Sequence, residues 1–336
     1  MDSLETRARK QVNLARYVAG QKEGHYESYF QRANHPTRPL AFWIRYTIFS
    51  PDKKPEKALG ELWAICFNGE TGKHVASKTE VPLSQCTFAR DKFDVRIGES
   101  TLLPGFLKGC AKSGNTKIEW DLRYENGQEP LFDLPLKFYE KGFPKAKALV
   151  GVPLAKYHGT IKVNKETVEI DRWVGSQNHN WGSKHTDHYA WGQVAGFPDF
   201  PDTFLELATA RLKIGPVWTP AMTLIVLRHK GREYRLNELR KSLRRATFGY
   251  FYWDFEARSP EIQIEGRISA KADDFVCLRY YNPPGGIKYC LNSKIAACRI
   301  ALRFQGASQP EILEAPQRAA FEILTDKTDH GLIPDV

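Results

Sequence analysis

The chain has 336 residues, 42% hydrophobic and 12% aromatic, with 49 Lys+Arg against 39 Asp+Glu and a formal charge of +10. That much apolar material excludes disorder as the main state, and no apolar run approaches the ~18 residues of a membrane-spanning helix. The opening MDSLETRARKQ lacks the apolar stretch of a secretory signal, and the six cysteines make no C-x-x-C pair, so a reduced, cytoplasmic protein is expected.

The N-terminus is predicted helical. Asp2 and Glu5 have capping-box spacing, and Leu4, Ala8, Val12 and Ala15 share one face before Gly20. Helical periodicity then nearly vanishes. Phe42, Ile44, Tyr46 and Ile48 alternate with Trp43, Arg45 and Thr47; Leu62 to Phe67 is an apolar strand ending in the turn-rich 68–72; Lys117 to Tyr124 alternates again. Lys141 to Leu154, with Gly142, Pro144 and Pro153, reads as an irregular cover over one end of the first sheet system. Thr160–Val163 and Thr167–Ile170 flank a tight turn at Asn164-Lys165-Glu166. Further short aromatic or β-branched runs follow at Tyr189–Phe197, Thr219–Arg228, Phe248–Ala257, Glu261–Ser269, Asp274–Tyr281 and Ile295–Phe304. Many short strands with few helices predict an all-β chain of antiparallel sandwich or barrel units. The length fits two such domains, 1–175 and 176–336, meeting near Asp171 to Asp187.

The charge is concentrated. Eight basic residues and two acids lie between Arg228 and Arg245, a net +6 in 18 residues. From Asn237 onward, Leu236, Leu239 and Leu243 fall at helical spacing among Arg240, Lys241, Arg244 and Arg245. The segment reads either as a basic amphipathic helix docking on an anionic membrane surface or as a solvated helix or hairpin tip. No nucleic-acid reader motif accompanies it, so no nucleic-acid partner is expected.

The densest set of reactive residue types runs from Asp171 to Trp191. Three of nine histidines (His179, His185, His188) and three of eight tryptophans (Trp173, Trp181, Trp191) fall within 19 residues. The histidines, with Asp187, have ligand types but no zincin spacing, and no metal is expected; Asn and His satisfying backbone groups at a domain junction is the rival reading. In Phe204 to Lys213, period-two spacing puts Phe204, Glu206, Ala208, Ala210 and Leu212 on one face, with Glu206 its only charge. The decapeptide is rich in helix formers, but its strand-rich surroundings favour a strand. If that face lines a barrel interior, burial keeps the Glu206 carboxyl protonated and makes it a candidate general acid.

Asn178-His179-Asn180-Trp181-Gly182, followed by Tyr189-Ala190-Trp191-Gly192-Gln193, resembles the central motif of the carotenoid 1,2-hydratase (hydroxyneurosporene synthase) family. That family sits in a lipocalin-like group with AttH-type proteins, fungal Diels–Alderases and, more distantly, tocopherol cyclases. The runs 24–30 and 42–46 also resemble the group's opening strands. The resemblance implies two lipocalin-like antiparallel β-sandwich or barrel domains after a short N-terminal helix. In the hydratases a His-x-Trp pair is followed about two dozen residues later by a Tyr-x-Asp pair whose Asp donates the proton. His179-x-Trp181 matches the first pair, and Phe204-x-Glu206 stands at the second, with Glu for Asp and Phe for Tyr. An acid step survives those changes, whereas the Tyr hydroxyl is lost. What the resemblance implies is cofactor-free protonation of an isoprenoid or polyene C=C in an apolar pocket at the domain junction, then hydration or cyclisation. Glu206, His179 and Trp181 would be catalytic; Asn178, Tyr189, Trp191, Phe204 and Trp173 would bind the hydrophobic substrate, with indole faces stabilising a cation. A non-catalytic lipid carrier and a shape-driven pericyclase are the rivals.

Overall fold

The computed structural model describes residues 3–125, 127–238 and 246–336. The N-terminal helix α1 (Leu4–Lys10) is capped by Ser3, whose hydroxyl accepts from the Thr6 amide, so the cap is Ser3 and the helix stops short of Val12 and Ala15. Both of those residues are nevertheless buried. Of the basic segment 228–245, residues 228–229 and 232–236 are paired strand, with Arg228 and Arg235 on Glu233 and Lys230 on Glu311, while residues 239–245, and with them most of the docking helix expected from Asn237, lie outside the described residues.

The first sheet contains β1 (His25–Asn34), β2 (Leu40–Ser50), β3 (Leu59–Asn68), β4 (Val75–Pro82), β5 (Cys86–Phe88) and β6 (Val95–Ile97). It continues with β7 (Ser100–Leu103), β8 (Phe106–Ser113), β9 (Thr116–Glu125), β10 (Leu131–Phe132), β11 (Ala146–Val163) and β12 (Glu166–Gly182). The order is β4-β3-β2-β1-β12-β11-β9-β8-β7-β6-β5, with β10 on β11. The free edge of β4 curls against β8, where the Lys112 amide donates to Thr79 Oγ1 at 2.7 Å and that hydroxyl donates to the Lys112 carbonyl at 3.1 Å. The sheet is thus nearly a barrel. Residues expected to be irregular up to Leu154 are in fact the first half of β11, whose ladder slips at three places and which still carries Pro153. A bulged strand tolerates the proline that a regular ladder would reject.

After Gly182 the chain crosses to the second sheet. It is built from β13 (His188–Phe197), β14 (Phe200–Arg211), β17 (Met222–His229), β18 (Arg232–Leu236), β19 (Ala246–Phe248) and β20 (Tyr252–Arg258). The remaining strands are β21 (Ile262–Ser269), β22 (Val276–Tyr281), β23 (Ile287–Phe304) and β24 (Glu311–Thr325), while β15 (Lys213–Ile214) and β16 (Val217–Trp218) pair separately. All of these pairings are antiparallel, as the alternation predicts.

Each sheet wraps its own core. Phe42, Ile44, Tyr46, Trp120 and Trp173 fill the first; Val194, Leu205, Leu207, Trp253 and Phe321 fill the second. The sheets also pack on each other, through Trp43, Trp63, Tyr280 and Leu324 at one place and Leu131, Val150, Phe204 and Val226 at another. Strand β2 is therefore buried along both faces, all eleven residues of it. Its odd-numbered residues, which simple alternation would send to solvent, are covered by the second sheet.

Within the first sheet, the backbones of β1 and β12 approach closely at Gly175. A Cβ on Gly175 would sit 1.7 Å from the Arg32 carbonyl oxygen and 2.6 Å from the Ala33 Cα. Gly175→Ala is expected to lower unfolding free energy by about 1–3 kcal/mol, the usual cost of overpacking, as read from urea midpoints.

Candidate active site

Strand β14 carries Glu206, flanked along the strand by Phe204 and Ala208 and paired laterally with Gln193 of β13 and Val226 of β17. Leu205 and Leu207 point into the second core. Glu206 therefore faces outward from that barrel and inward to the junction between the sheets, which corrects the expectation that its face lines a barrel interior. It is only 4% exposed. The Trp191 indole donates to Oε1 at 2.5 Å, and the Gln193 amide donates to Oε2 at 2.8 Å.

Gln193 carries the network across the junction. Its other amide hydrogen reaches Asn178 Oδ1 at 2.9 Å, and its oxygen accepts from Arg32 Nε at 2.8 Å and Ser176 Oγ at 2.6 Å. Arg32 also donates to the Gln193 carbonyl at 2.9 Å and to Asn34 at 2.7 Å. Beyond it, the buried Lys294 ammonium contacts Glu322 at 2.8 Å and stands 5.4 Å over the Trp191 ring. The side chains of Asn178, Trp191, Phe204 and Glu206 thus share the junction face.

Burial pushes the Glu206 carboxyl well above the usual carboxylate range, and the nearby Asp133 raises it further, against its two hydrogen-bond donors and Arg32. Burial likewise pushes Asp133 up to about 7. Its Oδ1 is buried without a hydrogen-bond partner. Two desolvated carboxyls held together cannot both ionise cheaply, so the pair retains a proton near neutrality. Tyr139, whose hydroxyl donates to the Ala148 carbonyl at 2.5 Å, feels both charges.

His179 and Trp181 project from the opposite face of β12. The His179 ring has one nitrogen 2.7 Å from the Val12 carbonyl, which only accepts, so Nδ1 carries a hydrogen. The other nitrogen lies 2.8 Å from Glu27 Oε1. Glu27 is wholly buried and accepts from the Arg16 and Tyr17 amides, the Tyr29 hydroxyl and His25 as well. Burial alone would raise its pKa, but the hydrogen bonds from His179 and His25 hold it well below the usual carboxylate range. Burial lowers the His179 pKa below the usual imidazole value, with Glu27 opposing it. His179 is therefore committed at both nitrogens, on the face of β12 away from Glu206. Trp181 packs against Val12, Leu149 and Phe132, with the Arg16 guanidinium 5.0 Å over its ring.

Trp173 belongs to the first core, stacked on Phe42 at 6.0 Å. Tyr189 lies in the junction against the Trp43–Tyr280 cluster. The histidines do not converge: His185 stacks on Tyr26 at 3.9 Å and His188 on Phe248 at 4.8 Å, while Asp187 binds Lys184 at 2.5 Å. A cavity of about 660 Å³ opens on the second sheet among Asp254, Glu256, Glu265, Arg267, Arg299 and Glu314. Its charged lining and its place differ from the apolar junction pocket expected.

Sequence reading passed over Glu27, Arg32, Asp133 and Gln193. Period-two spacing does put His25, Glu27 and Tyr29 on one face, and Trp191 and Gln193 on another, so a signal existed for Glu27 and Gln193. Asp133, between β10 and a short turn, has none.

The raised Glu206 pKa has a sign that stability can test. Its folded value lies above its unfolded value, so the stability tied to its proton is intact below pH about 4.5 and lost as pH rises through the folded value. Relative to wild type, Glu206→Gln is expected to gain stability between pH 5 and 8, with a slope of up to about 1.4 kcal/mol per pH unit. Urea midpoints across that range give the measurement, and a pH-independent difference would mean an ordinary carboxylate.

Among known proteins, two uncharacterized proteins of Mycobacterium tuberculosis, from strains H37Rv and CDC 1551, are each 26% identical over 203 residues. The match takes in 60% of this chain, and the chain spans 59% of the length of those relatives. Kievitone hydratase from Nectria haematococca superposes with a TM-score of 0.59 at 13% identity, covering 95% of this chain and 98% of that one. An AttH-type protein of Nitrosomonas europaea superposes at 0.58 and 13% identity, covering 93% and 99%. Such low identities establish a shared lipocalin-like fold. The tocopherol cyclase-like family matches residues 143–323, more than half of the chain and all of β12 to β14. The chain belongs to the tocopherol cyclase-like family.

Proposed function

We propose that this protein is a cofactor-independent enzyme that protonates a C=C bond of an isoprenoid or polyene, with the Glu206 carboxyl as the acid, leading to hydration or cyclisation. The observation that carries the reading is a buried carboxyl at the sheet junction, held protonated by desolvation and by Asp133, with two N–H donors already aimed at its oxygens. Membership of a family named for a cyclase supports it, as does a fold shared with a hydratase.

The arrangement suits proton donation. As the proton leaves for carbon, charge develops on the Glu206 oxygens, where Trp191 and Gln193 donate and where Arg32 adds a favourable field. Those interactions strengthen with the reaction and need no reorganisation. The tertiary cation is then captured by water or by an internal hydroxyl, and the capturing oxygen returns its proton to the Glu206 carboxylate, so the cycle closes without a cofactor. Phe204, Val226 and Leu131 give the junction the apolar character that a carbocation needs to escape indiscriminate quenching. The Trp191 ring beside Glu206 already carries the Lys294 ammonium at 5.4 Å, so its π face is placed to interact with a cation at the junction, whereas Trp181 lies across β12. In this reading His179 positions: it pins the segment after α1 to β12 through Val12 and Glu27.

Incubation with isoprenoid alkenes and prenylated phenols in D2O is expected to give products with one deuterium at the protonated carbon. Glu206→Gln should lower turnover about 10²–10⁴-fold, the usual share of a general acid. Full turnover in that variant would overturn the acid role. Release of an apolar co-purifying ligand unchanged, with no turnover by wild type, would point to a carrier.

A further inference from the structure

We propose that the junction holds a second site, a recess around Arg45 that binds a carboxylate carried on an apolar body. The recess is bounded by Tyr26, Arg45, Thr47, Glu61, His185 and Tyr280, and its enclosed volume is about 10 Å³, room for one oxygen atom rather than a tetrahedral anion.

Arg45 is 4% exposed, and its Nε has no hydrogen-bond partner. Its guanidinium stacks 4.4 Å above the Tyr280 ring and 5.9 Å from Trp43, which fixes the plane of the group without satisfying its donors. Thr47, two residues along the same face of β2, is 2% exposed with an equally unpartnered hydroxyl. A buried Nε–H and a buried hydroxyl that both lack acceptors carry a desolvation cost that an incoming carboxylate relieves. Glu61, which lines the recess, is already in contact with Lys78 at 2.8 Å and accepts from the Trp63 indole at 3.4 Å. His185 reports the same positive field: burial, then Arg45 and Lys288, push its pKa down to about 3, so it enters the site as a neutral ring stacked on Tyr26.

The mouth selects the body of the ligand. Phe49 and the half-exposed Tyr281 edge the recess, their ring centroids 5.3 Å apart, so the carbon attached to the carboxylate meets aromatic surface. A planar carboxylate places one oxygen in the recess against Arg45 and Thr47 and leaves its second at the mouth. A phosphate would have to bury more oxygens than the volume admits.

Benzoate titration followed by intrinsic fluorescence tests this, with benzyl alcohol and phenyl phosphate as the neutral and tetrahedral comparisons at constant ionic strength. Saturable one-to-one benzoate binding is expected, with both comparisons at least about tenfold weaker. Thr47→Val, nearly isosteric and so expected to fold, should weaken benzoate about threefold or more, and Arg45→Lys about tenfold. Thr47→Val decides the matter even if Arg45→Lys does not fold. Equal binding of benzoate and benzyl alcohol, benzoate binding untouched by Thr47→Val, or no saturable binding because the recess holds only a water, would each overturn the proposal. Binding is read without turnover, so this site stands or falls separately from the acid role of Glu206.

Discussion

The amide of Gln193 is the constraint on which the junction depends. Its oxygen accepts from Arg32 and Ser176, its nitrogen donates to Asn178 and Glu206, and with those four bonds its capacity is used up. Arg32, Ser176 and Asn178 belong to the first sheet, Glu206 to the second. One wholly buried side chain therefore fixes how the sheets face each other and which way the candidate acid points. Buried polar networks of this kind are costly when half satisfied and specific when complete. Here completeness depends on Arg32 donating to both the side-chain and the main-chain carbonyl of Gln193.

Strand β12 separates two carboxyls of the same residue type with opposite fates. Glu27, on one side, collects backbone amides, a phenol and two imidazoles, so ionisation is stabilised despite total burial. Glu206, on the other, has two neutral donors, a nearby carboxyl whose Oδ1 has no hydrogen-bond partner, and Arg32, whose pKa burial lowers to about 10. Counting donors and charges, rather than burial alone, decides which becomes a structural anion and which keeps a proton. The His179–Trp181 pair, so prominent in sequence, falls on the Glu27 side, where it braces the N-terminal segment.

Much of this was legible beforehand. Alternation in 42–48, 117–124 and 204–212 marked strands, and the composition of Phe204 to Lys213, helical by propensity, was correctly overridden by its surroundings. Alternation also grouped Phe204 with Glu206 on one face. It could not tell which core that face would meet, because a strand buried on both sides has two insides. Lys141 to Leu154 misled for a related reason: two prolines and a glycine signal a loop, yet three ladder slips let β11 run through Pro153. Asp133 and Arg45 were invisible as site residues, since nothing local distinguishes a solvated aspartate or arginine from one left unpartnered in a closed junction.

The sequence by itself determined the β architecture, the spacing of Asn178, Trp191 and Glu206, and the kinship carried by the 178–182 motif, because periodicity and short motifs are local properties. Only the tertiary structure decided that Glu206 faces a junction rather than a barrel, that His179 serves Glu27, and that Arg45 stacks on Tyr280 with its Nε unpartnered. Those outcomes depend on desolvation and on partners more than a hundred residues away, and pKa and pairing follow from what closes over a group rather than from its neighbours in the chain.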